Sequence, residues 1–191
     1  KPAVMIALFI WLWTSAGLNG ALLWFGLGIL LSLAGDVLLM IALDRLFLAG
    51  LIAFLLAHVA YIIGFNTPFP ALSAWGFILA FIIGISGVRV IRQIVVPLHA
   101  KGQAGLRIPI LLYALVISLM LLSAMLKLTD TSWQAGAALL VALGAFLFYL
   151  SDIILAWMKF VAPIQNGRIY NILTYHLGQI ALIAGVVMQF K

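Results

Sequence analysis

Two aspartates carry the chemistry this sequence offers. Asp36 sits in Leu33-Ala34-Gly35-Asp36-Val37-Leu38-Leu39-Met40, and Asp152 in Tyr149-Leu150-Ser151-Asp152-Ile153-Ile154-Leu155-Ala156. In both, a small residue precedes the acid and aliphatic residues follow it. An acid in the middle of an apolar helix costs roughly 2.5–3.5 kcal/mol on insertion scales, so its appearance twice calls for a reason. If the two carboxylates face each other in one polar cavity, they cannot both stay charged cheaply and would share a proton near neutrality. Such a pair supplies a general acid and a general base together. The alternative is a structural polar pair that bonds helices to one another.

Other side chains qualify as helpers. His176 lies in Thr174-Tyr175-His176-Leu177-Gly178-Gln179, where Tyr175 and Gln179 are four apart and share a helix face. These residues would either position substrate and water or hydrogen-bond inside the bundle. His58 and Tyr61 are three apart on one face, the spacing of a hydrogen-bonded core pair. Tyr113 and Asn171 are candidates of the same kind. Arg89 and Arg92 share a face and would fork onto a lipid phosphate, or else serve only as boundary charge. His99, in a polar stretch, reads as solvated. Asp36, Asp152, His58 and His176 leave a metal site open, but they lack any short ligand motif such as His-x-x-x-His, and neither a metal nor a cofactor is expected. With no cysteine there is no thiolate nucleophile or disulfide. Gly84-Ile85-Ser86-Gly87 does not have the glycine spacing of a serine nucleophile elbow.

These groups must be held by helices in lipid. The chain has 191 residues, 67% of them hydrophobic and 7% charged, which no soluble domain of this size could bury. The fold class expected is all-α, a polytopic transmembrane bundle forming a single domain over residues 1–191. Apolar runs predict seven spans, near 3–18, 21–43, 46–65, 71–97, 108–128, 133–158 and 169–190, each long enough to cross. Asn19-Gly20, Asp44-Arg45 and Asn66-Thr67-Pro68-Phe69-Pro70 separate the first four. Thr129-Asp130-Thr131-Ser132 offers caps for the sixth. Glycines such as Gly26, Gly28, Gly136 and Gly144 permit close helix approach. Lys1-Pro2 leads straight into a span without a signal-peptide cleavage site, and an earlier helix before Lys1 would make eight spans.

The net charge of +6 reflects topology and not a nucleic-acid footprint. Lys1, Arg45, Arg89, Arg92, Lys101, Arg107, Lys159 and Arg168 fall on one side, against Lys127 and Lys191 on the other. The positive-inside rule makes the first side cytoplasmic, with the visible N-terminus inside. Short loops point to a bacterial inner membrane. On that frame Asp36 and Asp152 lie about 10 Å and 9 Å from the cytoplasmic end of their helices, and His176 about 12 Å. Tyr113 and Arg89 fall in the same layer. An echo also runs through the chain: His58 follows Asp36 by 22 residues and His176 follows Asp152 by 24. With one more helix in front, two parallel four-helix halves would be related by an axis along the membrane normal.

Taken together, Lys1-Pro2, Gly35-Asp36, Phe54-Leu55-Leu56-Ala57-His58-Val59-Ala60-Tyr61, Pro109 with Tyr113, Ser151-Asp152, and Tyr175 with Gln179 resemble the YhhN family, over essentially the whole chain. Eukaryotic members of that family are lysoplasmalogenases. The resemblance implies an eight-span membrane hydrolase that needs both aspartates, of which this chain starts at the second helix. Its substrate would be a lysoplasmalogen, a membrane lysophospholipid, cleaved at the vinyl ether bond into a fatty aldehyde and a glycerophospho-base. A proton delivered to the alkene carbon gives an oxocarbenium ion, to which water adds, and paired carboxylates suit both steps. Arg89 would hold the phosphate while the chain lies between helices. The rival readings are a proton-coupled carrier with parallel repeats, or a non-catalytic lipid-binding protein.

Overall fold

The computed structural model describes residues 2–41, 45–68, 73–100 and 102–191, with the side chains of residues 99 and 100 left aside. The readings of Lys1, Asp44, Phe69, Pro70, Lys101 and solvated His99 fall outside the described residues. Among those described there are seven α-helices and no strand: α1 Pro2–Ala16, α2 Ala21–Ile41, α3 Phe47–Phe65, α4 Ala74–Ala100, α5 Arg107–Leu126, α6 Ala135–Phe160 and α7 Gly167–Phe190. Helices α2 to α7 are long and apolar enough to cross a membrane, whereas α1 has 15 residues. At 1.5 Å per residue α1 reaches about 22 Å, short of a core about 30 Å thick. The seven apolar segments expected from sequence are thus seven helices, six of them long and apolar enough to cross and α1 shorter within the described residues. Gly17, at φ +78, ends α1 two residues early, because that backbone region leaves the helix and suits a residue without Cβ.

Prolines and turns behave locally as their chemistry dictates, with two exceptions. Pro97 does not stop α4, which runs to Ala100. In a last turn its missing N–H removes a single rung. The stretch before α6 does not supply a side-chain cap. Asp130 instead accepts from Lys127 Nζ at 2.9 Å and from Ser132 Oγ at 2.6 Å. Partial burial alone would raise the Asp130 carboxyl, but the Ser132 and Lys127 hydrogen bonds outweigh it and hold it below its ordinary value. The start of α6 is capped from another helix, by Gln189 Oε1, which accepts from Gln134 N at 2.8 Å.

Two tight helix pairs frame the bundle. Along α6 and α7 the contact positions recur every seven residues: Ala137, Gly144 and Ser151 against Asn171, Gly178 and Gly185, all buried. A Cβ on Gly178 would lie 2.8 Å from the Phe148 backbone nitrogen, and one on Gly185 2.7 Å from the Ala137 carbonyl oxygen. Backbone thus meets backbone along a seam whose small residues recur every seven positions. Along α2 and α3 the device differs, because rings fill the glycine notches. Tyr61 covers Gly28, Phe54 covers Gly35 and Phe25 covers Gly64. Helix α1 packs on α2 and α7, and α5 bridges α3, α4 and α6. The outermost helix, α4, buries only Ile94 and Leu98 among its described residues.

Candidate active site

Asp152 is held by groups from four helices. On α7, Asn171 Nδ2 donates to the Ser151 carbonyl at 2.7 Å, which pins the backbone of α6 just before the acid. Ser151 Oγ lies 3.3 Å from Asp152 Oδ1. From α5, Tyr113 Oη donates to Asp152 Oδ2. From α3, His58 Nε2 lies 3.0 Å from Tyr113 Oη and 3.4 Å from Asp152 Oδ2. His58 is fully buried and its Nδ1 has no hydrogen-bond partner among the described residues. Nε2 is therefore the ring nitrogen turned toward Tyr113 and Asp152.

The Asp152 side chain is 14% exposed and opens on a cavity of about 290 Å³. The wall comes mainly from α3, α4, α5 and α6 and is almost wholly apolar, with Tyr113, Ser118, Tyr149 and Asp152 as its polar members. All four helices contribute from the half of the bundle where Arg92, Arg107 and Lys159 lie. At that end Phe47, Ile94, Leu98, Ile110 and Phe160 pack into a separate core cluster. Gly84 and Gly87 leave the α4 wall thin: a Cβ on Gly84 would meet nothing within 4 Å, and one on Gly87 would lie 3.6 Å from Tyr149 Oη.

Asp36 occupies a different setting. It is 2% exposed on α2 and accepts from Tyr175 Oη at 3.0 Å. One turn away Gln179 Nε2 donates to Ser32 Oγ at 3.1 Å, and Tyr61 Oη donates to Gln179 Oε1 at 2.8 Å. Tyr175 and Gln179 thus use their common face to stitch α7 onto α2 and α3. Asp36 is not part of the cavity wall. Of the two acids expected to share a cavity, Asp152 lines this apolar one and Asp36 does not. The physical reason lies at Gly35: its bare backbone admits the Phe54 ring, which stands 5.8 Å from Tyr175 and 6.2 Å from Phe148. Phe148 is 5.2 Å from Tyr175 and 4.7 Å from the His58 ring, so aromatic rings lie between Tyr175, which binds Asp36, and His58, which binds Asp152.

The remaining candidates disperse. His58 and Tyr61 do not form the expected core pair, since His58 turns to Tyr113 and Asp152, and Tyr61 to Gln179. His176 is half-buried on α7, its ring 5.3 Å from Tyr175, and is not part of the cavity wall. Arg89 is exposed. It is not itself a wall residue; its neighbours Val88 and Val90 are, and the α4 wall, which runs from Ile83 to Ile94, centres roughly half a turn away from it. Ser118 and Tyr149 are wall residues that sequence reading missed. Tyr149 was findable, being three residues before Asp152 on the same face; Ser118, five residues after Tyr113, carries no such signal.

Comparison with known proteins accords with the motifs. The chain is 27% identical over 195 residues to lysoplasmalogenase TMEM86B of Mus musculus, covering 96% of this chain and 71% of that protein. It is 27% identical over 190 residues to lysoplasmalogenase TMEM86B of Homo sapiens, covering 95% of this chain and 70% of the relative. No solved structure matches. The family model described as the YhhN family matches residues 1–186. A match of that extent, carried by a helical bundle that gathers Asp152, Tyr113 and His58 from three separate motifs of the family, places the chain in the YhhN family.

Proposed function

We propose that the protein is a membrane-embedded, lysoplasmalogenase-like hydrolase in which Asp152 is the catalytic acid and base. The observation that carries this reading is the position of Asp152: a single carboxylate on the wall of an apolar cavity, with Tyr113 and His58 fixed upon it. The names of the mouse and human relatives support the reaction class. A cavity of about 290 Å³ lies at the lower end of the usual range for ligand sites, and its apolar wall suits a hydrocarbon chain.

In the proposed mechanism, protonated Asp152 gives its proton to the outer alkene carbon of the vinyl ether. The adjacent C–O carbon becomes an oxocarbenium ion beside the newly ionised carboxylate, which stabilises it as carboxylates do in glycoside cleavage. Tyr113 and His58 donate to that carboxylate and keep it aimed. Water then adds to the cationic carbon and Asp152 takes back a proton, leaving a hemiacetal. Collapse of the hemiacetal releases the aldehyde and returns a proton to the glycerol oxygen. Asp36 touches no substrate in this scheme. It holds Tyr175, whose ring backs Phe54 and Phe148 behind the cavity.

Membrane orientation follows from charge: Arg45, Arg92, Arg107, Lys159 and Arg168 on one side make it the cytoplasmic face of an inner membrane, with α1 starting there. The cavity then opens within the inner leaflet. The decisive experiment is incubation of purified protein with an alkenyl lysophospholipid and assay of free aldehyde. Aldehyde release by the wild type, lost in Asp152→Asn with the fold intact, is expected. No release by the wild type would refute the reading.

A further inference from the structure

A lysophospholipid in this cavity must bring an anionic phosphate to its polar end, and the cation expected there from sequence, Arg89, lies on the wrong side of α4. We propose that Lys159 is the phosphate-binding residue of the site. The inference rests on the lysophospholipid reading above and adds a contact for its head group.

Three observations support it. First, Lys159 shares a helix face with the acid: Asp152, Ala156 and Lys159 are spaced i, i+4 and i+7 on α6, and Asp152 and Ala156 both line the cavity. Arg89 has the opposite relation to its own helix. Second, the Lys159 ammonium stands 4.6 Å from the centre of the Phe47 ring, and Phe47 is itself a cavity wall residue. Phe47 is in turn held edge-on by Phe160 at 5.5 Å. The cation is therefore tethered at the rim, where aromatic faces attract ammonium groups, and not directed away from it. Third, the axial spacing suits the ligand. Seven residues of helix put the two Cα atoms about 10 Å apart, with Lys159 toward the cation-rich end. Side chains on a helix lean toward its N-terminus, so the long stem of Lys159 leans back toward the level of Asp152. In a glycerophospholipid the ether oxygen and the phosphorus are separated by five bonds, roughly 6 Å. The vinyl ether can thus lie at Asp152 with the phosphate at Lys159. The chain then runs deeper, past Ser118 and the thin wall at Gly84 and Gly87.

The class of ligand follows from the single ammonium: a phosphomonoanion or phosphodiester on a three-carbon polyol, carrying one chain. A lysine is a point charge without the fork of an arginine, so it recognises phosphate without fixing what the phosphate is esterified to.

The test uses the full chain in detergent and two non-cleavable ligands with saturated ether chains, an alkyl lysophosphocholine and the corresponding phosphate-free alkyl glycerol. Binding is read by intrinsic tryptophan fluorescence, with Lys159→Gln, Lys159→Arg and Arg89→Gln compared with the wild type. Loss of a charge-assisted contact should weaken the phosphate ligand about tenfold or more in Lys159→Gln and leave the alkyl glycerol unchanged. Lys159→Arg should restore most of the affinity, and Arg89→Gln should match the wild type. Equal affinity of Lys159→Gln and the wild type for the phosphate ligand would overturn the proposal, as would an equal loss for both ligands or no binding by the wild type. The catalytic reading is scored separately. Lys159-dependent binding with no aldehyde from the alkenyl lipid would remove the hydrolase and leave the phosphate contact standing.

Discussion

Asp36 and Asp152 have near-copies of the same local sequence, and the bundle puts them to different uses. Asp36, 2% exposed, belongs to a sealed ladder of Tyr175, Gln179, Ser32 and Tyr61. Asp152, with Tyr113 and His58 on one oxygen, faces a cavity. Their partners are also exchanged. His58 follows Asp36 in sequence but serves Asp152, and Tyr175 follows Asp152 but serves Asp36. The two tight pairs, α2 with α3 and α6 with α7, are thereby cross-linked through their polar residues. A local motif can specify that an acid sits in a helix. Which acid meets a ligand depends on what the facing helices bring.

This asymmetry can be broken or sharpened by substitution. The largest effect should come from Asp152→Asn, which removes the transferable proton and should lower aldehyde release about 10²–10⁴-fold at an unchanged melting temperature. Asp36→Asn keeps an acceptor for Tyr175 and should retain most of the turnover; a loss as deep as that of Asp152→Asn would put both acids in the reaction and end the distinction drawn here. Next come the hydroxyls. Tyr113→Phe should cost about tenfold in kcat, since it frees the aim of Asp152. Tyr175→Phe should instead lower stability by about 0.5–1.5 kcal/mol through the hydrogen bond it removes from Asp36, seen in a melting curve more than in kcat.

Helix seams give a parallel test. Gly178→Ala drives a methyl into the α6 backbone and should cost more stability than Gly64→Ala, where the Phe25 ring can shift. The smallest expected effect is a pH dependence at the Lys127–Asp130 turn. Because the Asp130 carboxyl is held below its ordinary value, its stabilising contribution is present above the usual carboxylate range. It is lost only as pH falls through the lowered folded value. Asp130→Asn should flatten that acid limb of a stability profile by lowering neutral stability slightly toward the acid value.

Some of this was legible in the chain and some was not. Spans α2 to α7 follow from uninterrupted apolar runs, and Gly28 and Gly144 mark helix approaches, because composition alone fixes what lipid will accept. Tyr175 with Gln179 was readable as one face. The ends were less so: a glycine at φ +78 shortened α1, and a glutamine from α7 did the capping assigned to the turn before α6. At the site, depth along each helix was readable, whereas azimuth, which puts Asp152 and Ala156 on the cavity wall, was not.

By itself the sequence determined that this chain dissolves in lipid as a helical bundle, that two acids lie within its apolar spans, and that its cations gather at one end. Hydropathy, helical rise and the cost of a charge in hydrocarbon act within a single segment and need no neighbour. Only the tertiary structure decided that Asp152 opens on the cavity and Asp36 does not. That outcome hangs on Gly35 admitting the Phe54 ring and on Phe148 filling the gap behind it, contacts between helices far apart in the chain whose rotation no single segment can set.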